Sequence, residues 1–149
     1  RKLLVLVVAI LAGYGYLSSQ HGTNQTDVSD SISDQSAGKI DSVIVEAFAN
    51  HKSNLQVSGE GTVLRLLPDD NSGSRHQKFI IALSSGQTIL VAHNIDIAPR
   101  IGFLREGDSV QFSGEYEWNE KGGVLHWTHR DNNGSHVAGW LKHQGQTYQ

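Results

Sequence analysis

The chain has 149 residues, of which 38% are hydrophobic and 18% charged, and a formal net charge of −3. That length leaves room for one domain, and so small a charge excludes a global field that would draw the protein to nucleic acid or an anionic membrane. No cysteine is present, which removes a disulfide framework, a thiolate zinc site, a cysteine nucleophile and the lipid-bearing cysteine of a lipoprotein.

Arg1-Lys2 precede an unbroken apolar decad, Leu3 to Ala12, which continues more weakly through Gly13-Tyr14-Gly15-Tyr16-Leu17. A basic start followed by an apolar run is the pattern of an export signal. The run offers about 15 apolar residues where a bilayer-spanning helix needs about 20. Residues 1–17 are therefore read as a signal peptide or a membrane anchor, with Gly13 and Gly15 suiting cleavage and Tyr14 and Tyr16 suiting the membrane interface. Either way the rest of the chain is expected in the cell envelope, periplasmic or secreted, with an inner-membrane tether if the segment is uncleaved. Residues 18–38 hold three Asp, no Lys or Arg and no aromatic. Such a stretch cannot bury enough apolar area to offset its ordering entropy, and reads as a disordered polar linker.

Residues 39–149 form the expected domain, about 110 residues and enough for a real core. Ile40, Val43, Ile44, Ala47 and Phe48 recur at helical spacing, which predicts one short amphipathic helix ending near Asn50. The period then changes to two. Val57, Gly59, Gly61, Val63 and Arg65 alternate with polar neighbours, and Pro68-Asp69-Asp70-Asn71-Ser72-Gly73 reads as a long loop. Residues 77–83 and 88–93 make a hairpin across Ser84-Ser85-Gly86, and residues 95–105 are irregular around Pro99. Residues 109–118 alternate so that Val110, Phe112, Tyr116 and Trp118 share a face while Gln111, Glu115 and Glu117 meet water. A loop at 119–123 returns the chain as a fifth strand over residues 124–130, and residues 131–149 read as a glycine-rich tail held by Trp140 and Tyr148. Sixteen glycines against two prolines fit strands and turns. Five strands, with a break after the third and a glycine inside the first and fourth, match a mainly β fold, a small five-stranded OB-like barrel with one N-terminal helix.

Several motifs stand out: Gly73-Ser74-Arg75-His76-Gln77-Lys78-Phe79, Ala92-His93-Asn94-Ile95-Asp96, Gly114-Glu115-Tyr116-Glu117-Trp118-Asn119, and Gly122-Gly123-Val124-Leu125-His126-Trp127-Thr128-His129. Together with the closing Gly139-Trp140 they resemble an uncharacterised bacterial domain family, a domain of unknown function. The resemblance brings no activity with it, so the site is argued from chemistry.

Eight histidines are present, six of them at or after His76. Arg75-His76-Gln77 opens the second strand and His93-Asn94 closes the third, so hairpin pairing delivers these groups to one end of the sheet. His126 and His129 lie three apart in the fifth strand and point to opposite faces unless the strand bends between them. Candidate catalytic residues are His76, His93, His126 and His129; candidate ligand contacts are Arg75, Gln77, Asn94, Arg100 and Trp127. The leading expectation is an OB-like surface binding an anionic ligand, a nucleotide or single-stranded nucleic acid. A second is a phosphodiester hydrolase with histidines as acid and base and Arg75 or Arg100 on the developing charge. Three of the four histidines around a divalent metal would give a metal-assisted variant, although no i, i+4 histidine pair on a helix supports it. A structural or interaction module of the envelope, with these side chains satisfied internally, is the third. The sequence assigns no oligomeric state.

Overall fold

The computed structural model describes residues 41–149. The leader, the linker and Ile40 of the helical stripe lie outside the described residues. No helix among the described residues is long and apolar enough to cross a membrane.

Helix α1 covers residues 41–49. Ile44 and Ala47 are its buried face, with Asp41 beside them, whereas Val43 is 44% exposed and leaves the expected stripe. Asp41 is buried because its carboxylate accepts from the backbone N–H of Ser85 (3.0 Å) and from the Ser84 hydroxyl, fastening the helix to a strand turn. A charged group taken out of water needs such donors.

Seven strands follow: β1 (Leu55–Asp70), β2 (His76–Ala82), β3 (Thr88–Asn94), β4 (Ser109–Glu117), β5 (Val124–His126), β6 (Trp140–His143) and β7 (Gln146–Tyr148). They form one mainly antiparallel sheet in the order β1-β2-β3-β5-β4-β6-β7, and an additional β1–β4 pairing joins five of them into a ring. The closure depends on β1, whose 16 residues pair with β4 through Leu55 to Thr62 and with β2 from Thr62 onward. Register shifts after Val63 and after Leu67 bend the part of the strand that pairs with β2. β3 and β5 are parallel, the other ring pairs antiparallel.

Alternate residues point into the ring. Val63, Phe79, Ile81, Val91, Phe112 and Leu125 are all buried there, and Ile101 and Leu104 of the 95–105 segment join the same core. Tyr116 is also fully buried, its hydroxyl donating to the Gly122 carbonyl (3.1 Å), and burial raises its pKa.

Three expectations are corrected. Pro68-Asp69-Asp70 belongs to β1 and not to a loop: the strand runs on as far as Asp70 opposite His76. The fifth strand stops at His126, four residues earlier than the alternation implied. Residues 131–149 are no mere tail, because β6 and β7 add to the sheet through a Gln144-Gly145 turn with φ of 49° and 80°. These two strands are too short for a periodic signal to rise above the surrounding glycines.

The early end of β5 has a geometric cause. One edge of β4 is taken by β1, so β5 (on Glu115 to Glu117) and β6 (on Gln111 to Ser113) must share the other. Between them the chain leaves the sheet at Trp127, whose φ is +52°, and returns at Gly139, whose N–H donates to the His129 carbonyl (2.8 Å). The crossing is tight. A Cβ on Gly139 would lie 2.0 Å from the Trp127 carbonyl oxygen and 2.5 Å from that of Ser113, and a Cβ on Gly114 would lie 2.5 Å from the His126 oxygen.

Gly139→Ala is therefore expected to lower folding stability by about 2 kcal/mol or more, since backbone cannot yield as a flexible side chain does. Denaturant unfolding would show it, with Gly134→Ala, where nothing lies within 4 Å but φ is +66°, losing less.

Candidate functional site

The bend at Trp127 decides which way the histidines of this segment face. Thr128 turns inward and is fully buried, while His126 and His129 both line a cleft on the outer side of the ring, His129 itself only 5% exposed. There they meet the start of β2 and the end of β3. His76, His126 and His129 line one open cleft of about 230 Å3, with Trp127 and the smaller or polar Ser74, Ala92, Asn94 and Ile97 around them. Pairing of His76 with Asn94 across β2 and β3 sets one wall, and β5 beside β3 sets the other.

Hydrogen bonding fixes two of the rings. His76 Nδ1 donates to the Ser74 carbonyl (2.7 Å) and His129 Nδ1 to that of Arg130 (2.8 Å), because a carbonyl can only accept. Neither ring makes a further hydrogen bond through Nε2 within the described residues. His126 Nε2 is buried without a hydrogen-bond partner, at 3.4 Å from Glu115 Oε1 and 3.2 Å from Glu117 Oε2. Asn94 turns its own carbonyl oxygen back to the backbone N–H of Asp96 (3.0 Å).

The remaining candidates are engaged away from the cleft, His93 and Gln77 in the interior and Arg75 and Arg100 in ion pairs on the surface. His93 is fully buried beneath the cleft, between the Thr128 hydroxyl (Nδ1, 2.8 Å) and the Pro99 carbonyl (Nε2, 3.1 Å). The carbonyl requires a hydrogen on Nε2. Burial lowers the His93 pKa to about 4, with His129 and His76 adding weaker repulsion, so the ring is neutral and Nδ1 accepts from Thr128. Gln77 is buried and bridges both backbone groups of Ile101, donating to O (3.0 Å) and accepting from N (2.9 Å). Arg75 pairs with Asp96 through Nε (2.6 Å) and its backbone N–H (2.8 Å), which holds the Asp96 carboxyl below its usual pKa. Arg100 pairs with Asp69. These two cations stand outside the cleft, each beside a carboxylate.

Other groups enter that the sequence did not single out. His136, from the expected tail, stacks on the Trp127 indole with centroids 4.2 Å apart and planes at 6°. Its Nε2 lies 2.7 Å from Glu115 Oε2. Glu115 and Glu117 were expected to face water only, yet they border His126. The signal available was slight: a glutamate two residues from another on β4 shares its face, but nothing in the spacing announces that a segment 20 residues later folds back over it. Elsewhere His143 Nε2 pairs with Asp108 Oδ2 (2.8 Å), and Trp118 stacks on His51 (4.1 Å) while donating to the Phe48 carbonyl (3.1 Å). Trp118 is thus packing and not an open stacking platform.

Among the described residues no three His, Asp or Glu side chains converge in an arrangement able to hold a metal ion. The cleft instead offers the half-buried His76 and the buried His129, each with no hydrogen bond at Nε2, a third imidazole facing carboxylates, and an indole.

A family model described as "Protein of unknown function (DUF3465)" matches residues 27–149. The chain belongs to this family. The match spans the whole described domain, helix and closing strands β6 and β7 included. No curated protein matches the chain.

The buried neutral His93 has a consequence for stability. Its folded pKa lies below the ordinary value of 6.5, so the unfolded chain binds the proton first as pH falls. Stability is full above about pH 6.5 and declines between there and about pH 4, by about 3 kcal/mol from this group. Thermal unfolding followed from neutral to acid pH is expected to show the decline, and His93→Gln to flatten it while lowering stability at neutral pH.

Proposed function

We propose that the domain is an OB-like binding barrel of the cell envelope that takes a small anionic ligand carrying a planar ring, a nucleotide or a short single strand of nucleic acid. The observation that carries this reading is the cleft itself, where Nε2 of His76 and His129 is left unused beside Trp127. A five-strand ring in the order β1-β2-β3-β5-β4, with β3 and β5 parallel and β1 closing on β4, has the connectivity expected of an OB barrel. Such barrels use the outer face of their second and third strands for oligonucleotides and oligosaccharides, which is where His76, Ala92 and Asn94 lie. With a proton taken up on Nε2 as well, each imidazole would donate to an anionic group, and the indole suits a base.

Size and charge favour one nucleotide unit over a long polyanion. The cleft is about 230 Å3, Glu115 and Glu117 lie against His126 of its lining, and residues 39–149 carry ten basic against twelve acidic side chains. The location outside the cytoplasm rests on Arg1-Lys2 and the apolar run that follows.

One feature favours a second reading, phosphodiester hydrolysis. Pinning Nδ1–H to a backbone carbonyl, as in His76 and His129, leaves Nε2 as the basic nitrogen, the form a general base requires. Binding and catalysis then use the same residues and part company at the product.

Titration with a fluorescent mononucleotide and with a short single-stranded oligonucleotide is expected to saturate, and His76→Ala, His129→Ala and Trp127→Ala each to weaken binding by about tenfold or more. Unchanged affinity in all three variants, or no binding by the unaltered protein, overturns the reading. Chromatography of the recovered ligand separates its two forms, since intact ligand supports a binding module and cleavage lost in His76→Ala supports the hydrolase.

A further inference from the structure

His136 has both ring nitrogens against acceptors. Nδ1 is 2.8 Å from the Val137 carbonyl and Nε2 is 2.7 Å from Glu115 Oε2. A carbonyl oxygen brings no hydrogen, and between a carboxylate and an imidazole the proton belongs to the stronger base, the imidazole. Both nitrogens therefore carry hydrogens, and the ring is an imidazolium. Its face lies on the Trp127 indole at 4.2 Å and 6°, the placement that favours a cation over a π system.

The segment that carries His136 is held in shape by one carboxylate. Asp131 accepts from the backbone N–H groups of Asn133 (3.0 Å), Ser135 (2.6 Å) and His136 (2.7 Å) and from the Ser135 hydroxyl (2.8 Å). These bonds hold its carboxyl near a pKa of about 2, so the segment keeps its shape over the whole working range of pH. What ties the segment to the ring of strands is His136, together with the Gly139–His129 backbone bond at its end. Residues 132–135, 137 and 138 are exposed.

We propose that His136 is a positioning residue of the cleft that acts as an imidazolium: charged, it clamps residues 131–137 over one face of Trp127 and neutralises Glu115, and on losing its proton it lets go of both. The charged and titratable groups facing it are Glu115 on β4, Asp131 on its own segment, and, across Glu115, the His126 ring on β5 with Glu117 beyond it. Glu115 is thus shared: one oxygen meets His136 and the other lies 3.4 Å from His126 Nε2. A neutral His136 keeps one ring hydrogen for two acceptors and gives up the ion pair, and Glu115 is then free to turn toward His126.

The sign of the pH effect follows. The hydrogen bond that His136 donates to Glu115 raises the His136 pKa, so the clamp is complete below the ordinary imidazole value of about 6.5 and is lost as pH rises through the elevated one. The functional consequence rests on the ligand reading of the cleft: a released segment uncovers a flat indole face beside His126 and His129, on which a base can stack. The clamp itself does not depend on that reading.

The test uses the full-length protein, with long-range proton–nitrogen NMR of its histidine rings followed from about pH 5.5 to about pH 9. His136 is expected to show two protonated ring nitrogens at the acid end, a transition above the ordinary imidazole range, and loss of its close contact with the Trp127 ring along that same transition. Glu115→Gln keeps an acceptor and removes the charge, and is expected to move the transition down by about one pH unit or more. His136→Gln keeps a donor to Glu115 that does not titrate, and is expected to remove from the Trp127 ring signals the transition that follows the His136 ring in the unaltered protein. A neutral His136 ring at the acid end, a contact that persists through its transition, or a Trp127 transition at that same pH in His136→Gln overturns the proposal. Nucleotide titration is read separately: a clamp that behaves as expected in a protein that binds no nucleotide keeps this inference and sinks the ligand reading.

Discussion

Where the chain leaves β5 it crosses β4 with backbone against backbone, and the outer surface of the domain is arranged around that crossing. Gly114 and Gly139 leave no space for a side chain between the strands and the departing segment. The chain cannot continue alongside β4, because β6 occupies the next stretch of the same edge. It turns at Trp127 with a positive φ, which a bulky residue adopts only when its surroundings hold it there. The turn sends Thr128 in and both flanking histidines out.

From that one turn a two-level arrangement follows. Below, Thr128, His93 and the Pro99 carbonyl form a buried polar chain in which every partner is satisfied by a neutral ring. Above, His76 and His129 keep one nitrogen on a backbone carbonyl and the other without a hydrogen bond, and His136 lies charged against Trp127. Residues of one chemical type thus divide into a structural neutral imidazole, imidazoles with one nitrogen unused and an imidazolium. Neighbouring acceptors and burial make the division, not the residue type.

Much of the fold was legible because alternation of apolar and polar residues reports directly on a strand with one face in a core. The runs ending in the Ile81, Val91 and Phe112 faces were therefore recoverable, as was the hairpin over Gly86. Periodicity failed where elements are three or four residues long, as in β6 and β7, and where a strand runs through proline, as at Pro68 in β1. At the edge of a sheet a proline's missing N–H costs no ladder bond, so its presence marked no boundary. The cleft was legible in part. Hairpin register brought His76 and Asn94 together as pairing rules require, but the same register could not tell that Gln77 and His93, next to them, point inward to Ile101 and Thr128.

The sequence by itself determined a mainly β domain with a helix before it, the pairing of its second and third strands, and the clustering of six of its eight histidines at or after His76. Those properties are local: they depend on which residues lie two, three or four positions apart. Tertiary structure alone decided that β1 closes the ring on β4, that the chain bends at Trp127, and that His136 returns over the indole to meet Glu115. Each of these joins groups many residues apart through contacts whose strength depends on burial and approach distance, quantities that a linear pattern does not contain.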